Sequence, residues 1–251
     1  MRFISEQRAM YGYLHDQTLR MMNTGHTGIE IAEESRLPSE LEKAWHVRGY
    51  YGSVSHGVKA IYQRCTGWFD GNPAHLWQHP PEAQGARYVR ALGGPDKAVE
   101  SARMFADEGD LRFAAELASH VVFGAPDRQG AKDLLADVLT RLGYGAECAT
   151  WRNFFLQGAN ELREGIPDTP IALAAGMASA LSATQVFDSL AIRVSGPRAW
   201  DEKLSILWKI TERDPSHGPF ARRPHPLPEP QETTADGLLD EPDPKFPIVT
   251  P

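Results

Sequence analysis

Apolar residues at helical spacing, cut at short intervals by glycine and proline, run from the start of the chain to about residue 195 and leave little room for a sheet. Phe3, Met10, Leu14 and Met21 recur at sevens, with Tyr13 and Leu19 close to the same stripe. They predict one long opening helix that ends at Gly25. Thr27 and Glu30 stand in capping-box register and open a short second helix. Leu37-Pro-Ser39 stops it, and Ser39 with Glu42 repeats the register for a third. A further helix is expected from Tyr51 to Arg64, with Val54, Val58, Ile61 and Tyr62 on one side. Gly67-Trp-Phe-Asp-Gly-Asn-Pro73 then forces a loop.

From Pro81 to Gly165 the chain reads as helices separated by Gly93-Gly94, Gly109-Asp110, Ala125-Pro-Asp127 and Gly143-Tyr-Gly145. An internal period of 34 residues relates Gly109 to Gly143, Phe105 to Leu139, Ala115 to Ala149 and Leu117 to Trp151. That is the period of tetratricopeptide helix–turn–helix units, whose helices approach closely at small residues. Two units rarely stand alone, so they are expected to pack on the preceding helices. An ordinary antiparallel bundle with a chance period is the plainer alternative.

After Pro167 the character changes. Ala172 to Leu181 fits a helix, and Ser182 with Gln185 caps another that reaches Val194 and ends at Gly196-Pro197. Leu204 to Ile210 fits a strand, but one strand without partners is not stable. Ten prolines fall in the last 37 residues, which predicts a disordered tail with polyproline stretches. The expected fold class is therefore all-α. A multi-helix bundle with tetratricopeptide-like pairs is followed by a short, incomplete α/β segment and the Pro-rich tail.

A formal net charge of −7, spread along the chain of 251 residues, argues against a nucleic-acid partner. No apolar run is long enough to span a membrane, and the N-terminus has no apolar signal region. Two cysteines cannot build a disulfide framework, so a reducing, cytoplasmic setting is expected.

Few residues suggest chemistry. His75 and His79 are the only histidines at short metal-ligand spacing, but prolines surround them and no acidic third ligand is near, so no metal site is expected. His15 and Asp16 point about 100° apart on a helix, which makes an inner, hydrogen-bonded histidine the plain reading. His56 lies among Arg48, Tyr50, Tyr51 and Tyr62, groups that can donate to an anion. Helix packing with satisfied polar tips is the alternative. Cys65 follows Arg64, yet no base is near, so a buried inert thiol is expected. Trp68, Phe69 and Trp77 either anchor their loop or meet a partner, because aromatics are enriched at interface centres. No catalytic residue is assigned.

Several strings together resemble the dimerisation domain of linear alkyl sulfatases, in the metallo-β-lactamase superfamily. They are Tyr11-Gly-Tyr-Leu-His-Asp-Gln-Thr-Leu-Arg20, Arg48-Gly-Tyr-Tyr-Gly-Ser-Val-Ser-His56 with Val58-Lys-Ala-Ile-Tyr-Gln-Arg64, Gly67-Trp-Phe-Asp-Gly-Asn-Pro-Ala-His-Leu-Trp77, and Asn153-Phe-Phe-Leu-Gln-Gly-Ala-Asn-Glu-Leu-Arg163. The resemblance implies a helical dimerisation domain over residues 1–165, a truncated sterol-carrier-like segment over 166–213 and a tail over 214–251. In that family a separate domain holds two zinc ions through a His-x-His-x-Asp-His run and cleaves the sulfate ester. This sequence has no such run, so no cofactor is expected in the chain itself. The resemblance also implies that Arg48, Tyr51, His56 and Tyr62 border a substrate pocket. Gly57 stands where that family usually has Asn, and Cys65 where it has an aromatic, so the pocket is expected to have drifted.

Three functions stay open on the sequence. The chain is a homodimerisation module that does not catalyse alone. It is part of an alkyl sulfatase acting on dodecyl sulfate-like esters, completed by an upstream or separate catalytic chain. Or it is a tetratricopeptide-like peptide-binding scaffold.

Overall fold

The computed structural model describes residues 2–166 and 181–202, which fall in two compact units. Among the described residues the first unit holds nine α-helices. α1 is Arg2–Met22, α2 Gly28–Glu34, α3 Ser39–Glu42, α4 Val54–Thr66 and α5 Pro81–Ala91. α6 is Pro95–Glu108, α7 Leu111–Gly124, α8 Gln129–Gly145 and α9 Ala149–Glu164. Short 3-10 turns lie at Trp45–Val47 and Pro73–His75. The second unit contributes α10, Ala183–Ala191, and α11, Gly196–Ala199. No β-strand occurs among the described residues. The expected helix at 172–181 lies outside them except for Leu181, and the strand at 204–210 and the tail lie outside them altogether.

Local signals set several boundaries. Gly25, at φ 91°, closes the region after α1, a conformation that costs glycine little. The Thr27 hydroxyl accepts from the Glu30 amide, and the Glu30 carboxylate accepts from the Thr27 amide, so the capping box forms. The same box forms at Ser182 and Gln185. The register at Ser39 and Glu42 does not produce one. Pro38 occupies the cap position, and its side chain has nothing to offer. α4 begins at Val54 rather than Tyr51, because the Ser53 hydroxyl caps the His56 amide. α10 ends at Ala191, short of Val194, and Pro197 starts α11 rather than only ending its predecessor.

Two cores result. Met10, Leu14, Met21, Ile31, Ala32, Val47 and Val58 bury one between α1, α2, α4 and the first 3-10 turn. Val54, Ile61 and Tyr62 pack against it from α4, as the expected stripe requires. The second lies within α5–α9 and is built from Ala98, Ala102, Ala114, Ala118, Val121, Val122, Leu135 and Val138 with their neighbours. Its many alanines let backbones approach closely. α5 and α7 meet backbone to backbone, where a Cβ on Gly124 would lie 2.4 Å from the Ala86 nitrogen.

α6 pairs with α7 and α8 with α9, and α6 also touches α8. α8 starts 34 residues after α6, as the period predicts. The second helices do not keep that register, since Gly109 and Gly143 play different parts. Gly109 ends α6 in the left-handed region at φ 93°. Gly143 is inside α8, and its missing Cβ makes room for Leu156 of α9.

Candidate functional site

The loop at residues 48–53 is seated on the N-terminal end of α9. The Ala149 amide donates to the Tyr50 carbonyl at 2.7 Å. The Tyr51 carbonyl accepts from the Thr150 hydroxyl at 2.7 Å and from the Cys148 thiol at 3.0 Å. Arg48 Nε bonds Glu147 Oε1 at 2.7 Å, and that carboxylate pushes the Arg48 pKa further up. A sequence separation of nearly 100 residues is closed by main-chain and side-chain bonds at one point. Burial raises the Cys148 thiol, but hydrogen bonds from Thr150 and from backbone amides outweigh it, and the net shift is downward.

On the first turn of α4, His56 meets α9. The Trp151 indole N–H donates to His56 Nδ1 at 3.1 Å, and the rings lie edge to face with centroids 6.3 Å apart. An indole nitrogen can only donate, so Nδ1 is the acceptor and Nε2 carries the proton. Nε2–H is left as a donor on an exposed imidazole. Lys59, one turn further along α4, places Nζ 5.6 Å from the Trp151 ring centroid, within cation–π range. Its charge also acts on the Glu33 carboxylate, whose pKa is held down chiefly by Arg112 and in smaller part by Lys59.

Arg48, Tyr51 and His56 therefore gather around the start of α9. Tyr51 contributes its carbonyl, while its side chain is 82% exposed. Tyr62 is elsewhere: its ring lies against Gly28, 3.0 Å from where a Cβ would be, and belongs to the first core. Glu147, Cys148, Thr150, Trp151 and Lys59 are the partners that sequence spacing did not indicate.

The loop after α4 holds itself by polar contacts. Asp70 accepts from the Asn72 amide at 3.0 Å and pairs with His75 Nδ1 at 2.6 Å, which holds the Asp70 carboxyl below its ordinary range. Asn72 caps the Ala74 amide. Trp68 and Phe69 touch each other at 5.7 Å, but Trp68 is 70% and Trp77 95% exposed, so neither tryptophan is core-packed to anchor the loop. His79 is exposed and takes no part. Among the described residues no three His, Cys, Asp or Glu side chains converge to hold a metal ion. These residues do not fit the zinc centre that the family resemblance implies for a catalytic domain.

Two further expectations are corrected. His15 is exposed and bonds its neighbour Asp16 at 3.0 Å, instead of lying on the inner stripe, which Leu14 and Thr18 occupy. Cys65 is exposed, on the outer side of the α4 terminus, rather than buried.

The alkyl sulfatase dimerisation family matches residues 27–165, and the alkyl sulfatase C-terminal family matches residues 172–218. The chain belongs to the alkyl sulfatase family. A linear primary-alkylsulfatase of Pseudomonas sp. is 44% identical over 211 residues, covering 83% of this chain and 31% of the relative. An (R)-specific secondary-alkylsulfatase of Pseudomonas sp. is 42% identical, covering 82% and 31%. The solved structure of the stereoselective inverting sec-alkylsulfatase Pisa1 from Pseudomonas sp. is similar with a TM-score of 0.73 and 44% identity, covering 78% of this chain and 31% of that one. The chain thus spans about a third of the length of these alkylsulfatases. No helix among the described residues is long and apolar enough to cross a membrane.

Proposed function

We propose that this chain is the homodimerisation module of an alkyl sulfatase-type hydrolase acting on linear, dodecyl sulfate-like alkyl sulfates, and that it does not cleave them alone. The observation that carries the reading is the match of the dimerisation family to residues 27–165, which takes in α2–α9. In this reading zinc and the ester-cleaving step belong to a metal-binding domain in the same or a separate chain. Arg48, Tyr51 and His56 then face the sulfate end of the substrate. Their chemistry suits an anion, with a guanidinium fixed by Glu147 and an imidazole whose Nε2–H is turned outward.

Native mass spectrometry tests the pairing: twice the 27.8 kDa chain mass supports it, and only the single mass opposes it. Incubating the pure chain with zinc and dodecyl sulfate tests the catalytic half. No sulfate release is expected, and metal-dependent turnover would refute it.

The stacked α6–α7 and α8–α9 pairs favour a second reading, a peptide-binding scaffold of tetratricopeptide type. It requires a monomer carrying a bound peptide, which the same spectrum would reveal.

A further inference from the structure

The loop after α4 presents large apolar side chains to solvent on a frame that is already fixed. Asp70 accepts from the Asn72 amide and pairs with His75 Nδ1, and the Asn72 side chain caps the Ala74 amide. The Asp70–His75 bond closes the loop on itself, so Phe69, just before it, and Leu76, just after it, are held on one small knob. Trp68 touches Phe69, and Trp77 follows Leu76. Trp68, Leu76 and Trp77 are 70%, 59% and 95% exposed. Charged residues make up 24% of the chain, yet between Gly67 and Pro80 there is no lysine, arginine or glutamate. The one aspartate there, Asp70, is tied to His75. Rich in aromatics and poor in charge is the composition of an interface core.

We infer that two copies of this chain meet at this loop, with Trp68, Leu76 and Trp77 of each covered by the other. The inference rests on the homodimer reading above and adds the surface through which the copies pair. Area supports it. An aromatic ring of this kind buries about 150–250 Å². The exposed parts of the two tryptophans and the leucine, taken over both copies, then come to roughly 1,000 Å², the size at which a specific interface begins. Position supports it too. The dimerisation family matches residues 27–165, which contain the whole loop, whereas the exposed Phe3, Ile4 and Tyr11 of α1 precede that match. The loop is also held before contact, so pairing does not have to order it, and the cost of association falls.

Sedimentation velocity of the full chain over a dilution series gives the dimer dissociation constant and tests this. Trp77→Ser should raise that constant by about tenfold or more, as loss of a buried aromatic anchor does. Trp68→Ser with Trp77→Ser should leave a monomer at micromolar concentration. Asp70→Ala keeps both tryptophans but opens the loop, and should weaken pairing as well. Trp45→Ser, at another exposed tryptophan, is the control and should pair as the parent does. These tryptophans lie outside both buried cores, and circular dichroism with urea unfolding checks that each variant folds. A double tryptophan variant that pairs as tightly as the parent would overturn the loop as the contact and leave homodimerisation standing. Pairing lost in Trp45→Ser but kept in the double variant would overturn it in favour of a surface near α1. A parent of single-chain mass at every concentration would overturn the homodimer reading and this surface together.

Discussion

Gly85 of α5 and Gly124 of α7 lie backbone against backbone. A Cβ on Gly85 would come within 2.5 Å of the His120 carbonyl oxygen, and one on Gly124 within 2.4 Å of the Gly85 carbonyl carbon. No flexible side chain is present to move aside. The crossing sets how α5 closes the second core, to which Val89 belongs together with the α7 residues Val121 and Val122.

Gly124→Ala should therefore destabilise the fold by about 1–3 kcal/mol or more, as overpacking does. Urea unfolding measures it. Gly130→Ala is the control, because nothing lies within 4 Å of its Cβ. It should be neutral or slightly stabilising, by up to about 1 kcal/mol.

Beside that crossing the His120 ring stacks on Tyr88 at 4.0 Å, and burial lowers the His120 pKa. The unfolded chain then binds the proton more readily than the folded one. This contribution to stability is intact above the ordinary histidine value of about 6.5 and is lost as pH falls below it. His120→Phe keeps the stack and cannot charge. Urea midpoints between pH 7.5 and pH 5.5 should fall less in that variant than in the parent.

Trp151 fixes the tautomer of His56. Nitrogen-15 shifts should report a proton on Nε2, and Trp151→Phe should release the ring to a mixture of tautomers. The cost of losing one such bond is about 0.5–1.5 kcal/mol at most. A His56 protonated at Nδ1 in the parent would contradict the geometry.

Thr150→Val removes the hydroxyl that donates to the Tyr51 carbonyl and keeps its shape. The loop at 48–53 should then loosen while the two cores stay intact. Faster hydrogen exchange at the Ala149 amide, which donates to Tyr50, is the expected signature.

Much of this fold is legible in the sequence where the cause is local. Thr27 and Glu30 are three residues apart, and their box needs no tertiary contact. The stripe at Val54, Val58 and Ile61 follows from helical geometry alone. The box at Ser39 fails for an equally local reason, since Pro38 takes the cap position. What the sequence hides is tertiary. Gly85 and Gly124 look like an interior glycine and a helix end until the helices cross. Gly143 looks like a break because Leu156, which needs its space, is on the next helix. His56 and Trp151 are 95 positions apart, and no spacing rule joins them. The exposure of His15 and Cys65 is easily misread because each neighbours an apolar stripe without belonging to it.

Pairing of two copies is what the proposed function requires above all. Light scattering behind size-exclusion chromatography of the full chain, across the micromolar range, measures this most directly. A constant mass of twice 27.8 kDa is the result expected. A single-chain mass throughout that range would contradict it.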